Sequence, residues 1–131
     1  MTLGDTFSNG PDLCTLGQNL LIAWTGTDSA GRVNVMAFNG SSTFNKVTLG
    51  ETSGVGPSIN NIGGGMVLGW TGTDSAHKLN TLHSSNGMTF FGKVTLGETS
   101  VFGPTVASVG SAPIMAWTGR DNAQSLNVVA I

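Results

Sequence analysis

Six of the seven acidic residues fall into two sets, each repeated three times along the chain: Asp28, Asp74 and Asp121, and Asp5, Glu51 and Glu98. Each member of the first set follows a tryptophan, Trp24, Trp70 or Trp117, and precedes by six positions an asparagine, Asn34, Asn80 or Asn127. Two chemistries suit this grouping. An Asp at a turn accepts hydrogen bonds from backbone N–H groups two residues on, forming an Asx-turn. Alternatively, each Asp acts with its Asn across a hairpin and hydrogen-bonds sugar hydroxyls. The indoles carry the same choice. Buried, they pack between layers; exposed, their faces stack on pyranose rings. The ligand-site candidates are therefore Trp24, Asp28, Asn34, Trp70, Asp74, Asn80, Trp117, Asp121 and Asn127. Glu51, Glu98 and Asp5 occupy a different loop and admit the same two readings.

Catalysis is not expected. Hydrolysis by paired carboxylates needs two acids that converge, and threefold repetition spreads these acids apart. His77 and His83 occur in one copy only, without a nearby Cys or a repeated acid, so they read as surface imidazoles and no metal is expected. The run Gly63-Gly64-Gly65 lacks the Lys-Ser/Thr and following helix of a phosphate loop. Cys14 is the single cysteine, which excludes an intrachain disulfide. Asn60 and Ala107 take its place elsewhere, so it reads as a small packed hydrophobe. No cofactor is implied.

Charged residues make up 9% of the chain and the net charge is −2. The basic residues Arg32, Lys46, Lys78, Lys93 and Arg120 read as scattered, so neither nucleic acid nor an anionic membrane is an expected partner. No apolar run approaches the ~20 residues of a membrane helix, and no leader is visible after Met1.

The elements that position these residues are also repeated. Residues 24–30 and 70–76 both read WTGTDSA, and 117–123 read WTGRDNA. Residues 46–53 and 93–100 both read KVTLGETS, with 1–6, MTLGDT, as a third version. The copies span 1–46, 47–93 and 94–131, within a single repeat domain. The first two copies hold four strand-like runs and the third copy holds the first three. The first follows Gly-Pro and carries Leu13 and Leu16, matched by Ile59 and Ile62, then Val106 and Val109. The second, at 20–24, 66–70 and 113–117, is almost continuously apolar, as suits a strand buried on both faces. The third covers 33–36, 79–82 and 126–129, and the fourth 43–49 and 89–96. Asn39-Gly40 and Asn86-Gly87 signal hairpins between the third and fourth. Beside each Trp stands a small residue, Ala23, Gly69 or Ala116, which lets a neighbouring layer approach closely.

The expected fold is all-β: three four-stranded antiparallel repeats, read as β-propeller blades. The segments around Asn39-Gly40-Ser41-Ser42-Thr43-Phe44 and Ser84-Ser85-Asn86-Gly87-Met88-Thr89-Phe90 resemble the Asp box of sialidase-type propellers, S-x-D-x-G-x-T-W. Here Asn replaces Asp and Phe replaces Trp. The resemblance implies a four-stranded blade. A sialidase also needs a Tyr nucleophile and an arginine triad, and this chain has no Tyr.

Three blades do not close a ring, since rings hold about four to eight. The third copy stops at Ile131 before a fourth strand, and Met1-Thr2-Leu3 aligns with the end of one. The expectation is therefore a homodimer forming a six-bladed ring from two chains; the alternative is a β-trefoil monomer. The expected function is a non-catalytic recognition module of lectin-like type that binds glycan through repeated shallow sites. The alternatives are a structural or engineered propeller fragment that self-assembles without a ligand, and a protein-interaction propeller.

Overall fold

The computed structural model describes residues 2–131. Among them the chain is all-β, in three antiparallel sheets. Sheet 1 is a meander of β1 (Asp12–Leu16), β2 (Asn19–Thr25), β3 (Arg32–Phe38) and β4 (Thr43–Thr52). Sheet 2 repeats it with β5 (Ser58–Asn61), β6 (Met66–Thr71), β7 (Lys78–Ser84) and β8 (Phe91–Thr99). Sheet 3 holds β9 (Thr105–Val109), β10 (Ala112–Thr118) and β11 (Leu126–Ala130). No helix among the described residues is long and apolar enough to cross a membrane.

Local side-chain chemistry sets the turns. Asn39 does not make a two-residue hairpin: its Oδ1 accepts the N–H groups of Ser41 and Ser42, at 3.0 and 2.9 Å, while Gly40 takes φ of 93°. In sheet 2 the side chains hold a longer loop. Asn86 Oδ1 accepts Met88 and Thr89 N–H, both at 2.9 Å, and Ser84 Oγ accepts Gly87 N–H at 2.9 Å. These bonds compete with the ladder, and β8 begins at Phe91, two residues later than the sequence pattern predicts. Irregularities in the β3–β4 and β7–β8 ladders fall at matching positions, so both outer strands bend alike.

The sheets pack face to face. Cys14, Leu21, Ala23, Val33 and Val35 of sheet 1 meet Ile59, Leu68, Trp70 and Leu82 of sheet 2. Val67 and Leu79, on the far side of sheet 2, meet Val106, Met115 and Trp117 of sheet 3. Every residue of β6 is buried, as expected of a strand covered on both faces; β2 and β10, each with one covered face, are only partly so. Gly69 marks the tightest approach: a Cβ there would lie 2.8 Å from both Met115 Cε and Val106 Cγ1.

The first strands β1, β5 and β9 lie side by side, and their links repeat. Asp12 Oδ2 accepts Ser58 Oγ–H at 2.6 Å and Ile59 N–H at 2.9 Å. Ser58 Oγ in turn accepts Val106 N–H at 3.1 Å. The glycines ahead of them stack in the same way. A Cβ on Gly56 would lie 2.8 Å from the Gly10 carbonyl oxygen, and one on Gly103 would lie 2.5 Å from that of Gly56.

The N-terminal segment runs along sheet 1, where Phe7 bridges Gly26. The bridge matches that between Ser53, just past β4, and Gly72 of the next sheet. Within the chain this segment adds no strand to sheet 3, whose order is β11-β10-β9. Met1, part of the expected strand completion, lies outside the described residues.

Candidate functional site

Strand β4 leaves sheet 1 and reaches sheet 2, carrying two side chains across. Thr52 and Thr73 share a hydroxyl hydrogen bond of 2.6 Å. Glu51 Oε2 accepts Lys93 Nζ at 2.5 Å. Lys93 extends from β8 over the Trp70 ring, 5.7 Å from its centroid, within cation–π range. Together they edge a cleft of about 520 Å³ whose walls include Thr73, Asp74, Lys78, Asn80 and Thr95. The arrangement recurs at sheet 1. Lys46 pairs with Asp5 and lies 5.4 Å from the Trp24 centroid. Thr6 bonds Thr27 at 2.5 Å. At sheet 3 the equivalent positions are Glu98, Thr99 and Trp117, and Glu98 makes no ion pair among the described residues.

The repeated Asp and Asn residues shape the wall of this cleft. Asp28 accepts Ala30 N–H at 3.0 Å and Arg32 N–H at 3.2 Å. Asp74 does the same with Ala76 and Lys78, at 3.0 and 3.1 Å. These are the expected Asx-turns. Asp121 accepts Ser125 N–H at 3.1 Å and its hydroxyl at 3.2 Å, and the Ser125 N–H holds this carboxyl below its ordinary range. Asn34 donates to the Arg32 carbonyl at 2.8 Å and accepts Thr48 Oγ–H at 2.7 Å. Asn80 donates to the Lys78 carbonyl at 2.8 Å and accepts Thr95 Oγ–H at 2.6 Å. Asn127 donates to the Ser125 carbonyl at 2.8 Å. The glycine of each WTG segment is wedged between its Asp and Asn. A Cβ on Gly72 would lie 2.8 Å from Asp74 Oδ2 and 3.0 Å from Asn80 Nδ2. The repeated shape of the loop thus follows from Asp and Asn side chains bonded to loop backbone and from a glycine that leaves room between them.

The three tryptophans are packed. Trp24, Trp70 and Trp117 are 3%, 1% and 6% exposed, so within the chain their faces are covered. What faces solvent in the cleft is the lysine–carboxylate pair, the threonines, and Asp74 and Lys78 on the opposite wall. Sequence reasoning took the basic residues as scattered and missed Lys46 and Lys93. The signal was available, because each opens a KVTLGETS copy and so holds one place in the repeat. Lys93 and Glu51 side chains remain 44% and 22% exposed, so their pairing contributes little to stability and stays open to exchange with a ligand. Among the described residues, no group of three His, Cys, Asp or Glu stands where it could hold a metal ion. His77 and His83 are half-buried, and neither lines this cleft.

No family model matches the chain, and no curated protein matches it in sequence.

Proposed function

We propose that this protein is a non-catalytic, lectin-like recognition module that binds glycan through repeated shallow clefts. The observation that carries the reading is the recurrence of one cleft chemistry at Trp24 and Trp70: a lysine over a buried indole, a facing carboxylate, and paired threonine hydroxyls. Donors and acceptors side by side in a cleft of small net charge suit a neutral polyhydroxyl ligand. The Asp and Asn side chains position the wall rather than touch the ligand. Weak identical sites gain by avidity when one molecule presents several.

The sheets are read as propeller blades, and two copies of three blades make a six-bladed ring, inside the usual range. Three separate meanders packed face to face favour blades over a β-trefoil. A second reading, a self-assembling scaffold without a ligand, draws support from the covered indoles and the internally bonded Asp and Asn groups. A glycan array probed with the labelled chain separates the two. The expected result is retention on neutral glycans that falls at least tenfold in Lys93→Ala, with Lys46→Ala acting likewise. Absence of retention on every glycan leaves the scaffold reading in its place.

A further inference from the structure

Two faces of the molecule are uncovered, and each is one half of an interface that the chain already makes twice. Towards sheet 2, sheet 1 presents Leu16, Leu21, Val33 and Val35. Towards sheet 3, sheet 2 presents Ile62, Val67 and Leu79 from the same repeat positions. Sheet 3 carries Val109, Ile114, Leu126 and Val128 at those positions. There three of them face solvent: Val109, Leu126 and Val128 are 75%, 78% and 61% exposed. On the opposite face, sheets 2 and 3 bury Ile59 with Leu68 and Val106 with Met115. Their counterparts in sheet 1, Leu13 and Ile22, instead line an apolar groove of about 400 Å³ with Leu3, Phe7, Trp24 and Met36. Leu13 and Phe7 are each 52% exposed. Apolar surface of this extent on both ends of a stack marks an interaction site.

We propose that sheet 3 of one copy docks into the sheet 1 groove of a second copy, head to tail, and that the second copy's N-terminal segment adds Thr2 to the third cleft, where Arg120 stands in the place of Thr73 and, among the described residues, no lysine lies over Trp117. The proposal deepens the two-copy ring and rests on that reading of the sheets as blades. The occupant is argued from three contacts that occur twice inside the chain and have an open third place. Thr48 and Thr95 donate to Asn34 and Asn80 at 2.7 and 2.6 Å, and Thr95 lines the central cleft. Thr2 holds the equivalent place, and Asn127 Oδ1 accepts no bond among the described residues. Ser53 N–H reaches the Gly31 carbonyl at 2.9 Å and Ser100 N–H that of His77 at 3.1 Å. The third pair is Phe7 N–H of the second copy with Gln124 O, and Gln124 already holds φ of 52° beside 63° and 55° for Gly31 and His77. Gly56 stacks on the Gly10 carbonyl and Gly103 on that of Gly56, whereas a Cβ on Gly10 would meet nothing within 4 Å. Docking sets Gly10 of the second copy on the Gly103 carbonyl of the first. Thr2 then supplies a hydroxyl to the Trp117 cleft that this cleft lacks in one copy.

Gly10 and Leu126 give variants harmless to a single copy. Gly10→Val enters open space, and Leu126→Lys replaces a side chain that is 78% exposed. Light scattering at micromolar concentration, with circular dichroism to confirm folding, is the test. The unmodified chain is expected at twice 13.4 kDa, and each variant at 13.4 kDa with an unchanged β spectrum. An equal mixture of the two variants regains the two-copy mass, because one of its two interfaces keeps both native faces. An unmodified chain at 13.4 kDa, an open-ended polymer, two-copy variants, or a mixture that stays single overturns the proposal. Should Gly10→Val fail to fold, Leu126→Lys decides alone. Failure of the glycan reading is distinct: it appears as no array retention by a chain that has the two-copy mass.

Discussion

Trp70 is buried on a strand whose every residue is covered, with Lys93 across one side of its ring. Trp70→Ala is therefore expected to lower stability by ~3–5 kcal/mol, through lost transfer energy and the cavity left behind. Chemical denaturation measures this, and acrylamide should quench the three indoles poorly. A variant that melts like the parent, with all indoles accessible, would show that packing is not their role. Cys14 gives a second expectation. Burial, and then the nearby Asp12 charge, push its thiol from 9.0 up to about 11. The folded state thus favours the neutral thiol, so this contribution is whole below pH 9 and is lost as pH rises towards 11. Melting scans should show a fall in stability across that window that Cys14→Ala lacks. At pH 7.5, iodoacetamide should label Cys14 only after unfolding. At this scale the sequence was legible where one residue acts alone: the Asx-turns of Asp28 and Asp74 follow from the chemistry of Asp at a turn. It was not legible where residues about forty apart meet. The Lys93–Glu51 pair depends on β4 crossing from one sheet to the next, which no local pattern encodes.

Strands and their spacing were the most legible part of the fold, because an apolar run between turn residues has one stable solution when it is covered on both faces. Gly69 is the test of that covering. Gly69→Val must displace Met115 and Val106, and should cost ~1–3 kcal/mol by overpacking. An equally stable variant would mean that sheets 2 and 3 are not in close contact. The start of β8 and the form of the Asn39 loop were less legible, since both depend on which N–H groups a side-chain amide captures. The N-terminal segment carries its own expectation. Deleting residues 1–4 removes Leu3 from the apolar groove and Thr2 from the place proposed for it opposite Asn127 of another copy. The deleted chain should lose the two-copy mass while sheets 1 to 3 keep their β spectrum. If mass and melting temperature both stay unchanged, this segment takes no part in assembly.

At the scale of the molecule, the repeat gives the lysine–carboxylate–threonine arrangement twice, at Trp24 and Trp70. The faces that stack the sheets also orient those two places alike, so on the proposed reading stability and valency would come from the same repetition. As proposed glycan sites, shallow polar clefts edged by exposed threonine and lysine would each hold a single ligand weakly. On the proposed reading, their use would lie in engaging several at once, which can raise overall binding by roughly 10²–10⁴ without a new contact. The most direct measurement is therefore apparent affinity for one neutral glycan displayed at decreasing surface density. The account predicts retention that weakens by about two orders of magnitude once neighbouring glycans are too far apart to bridge two clefts. Retention independent of density, or no retention at any density, would contradict it.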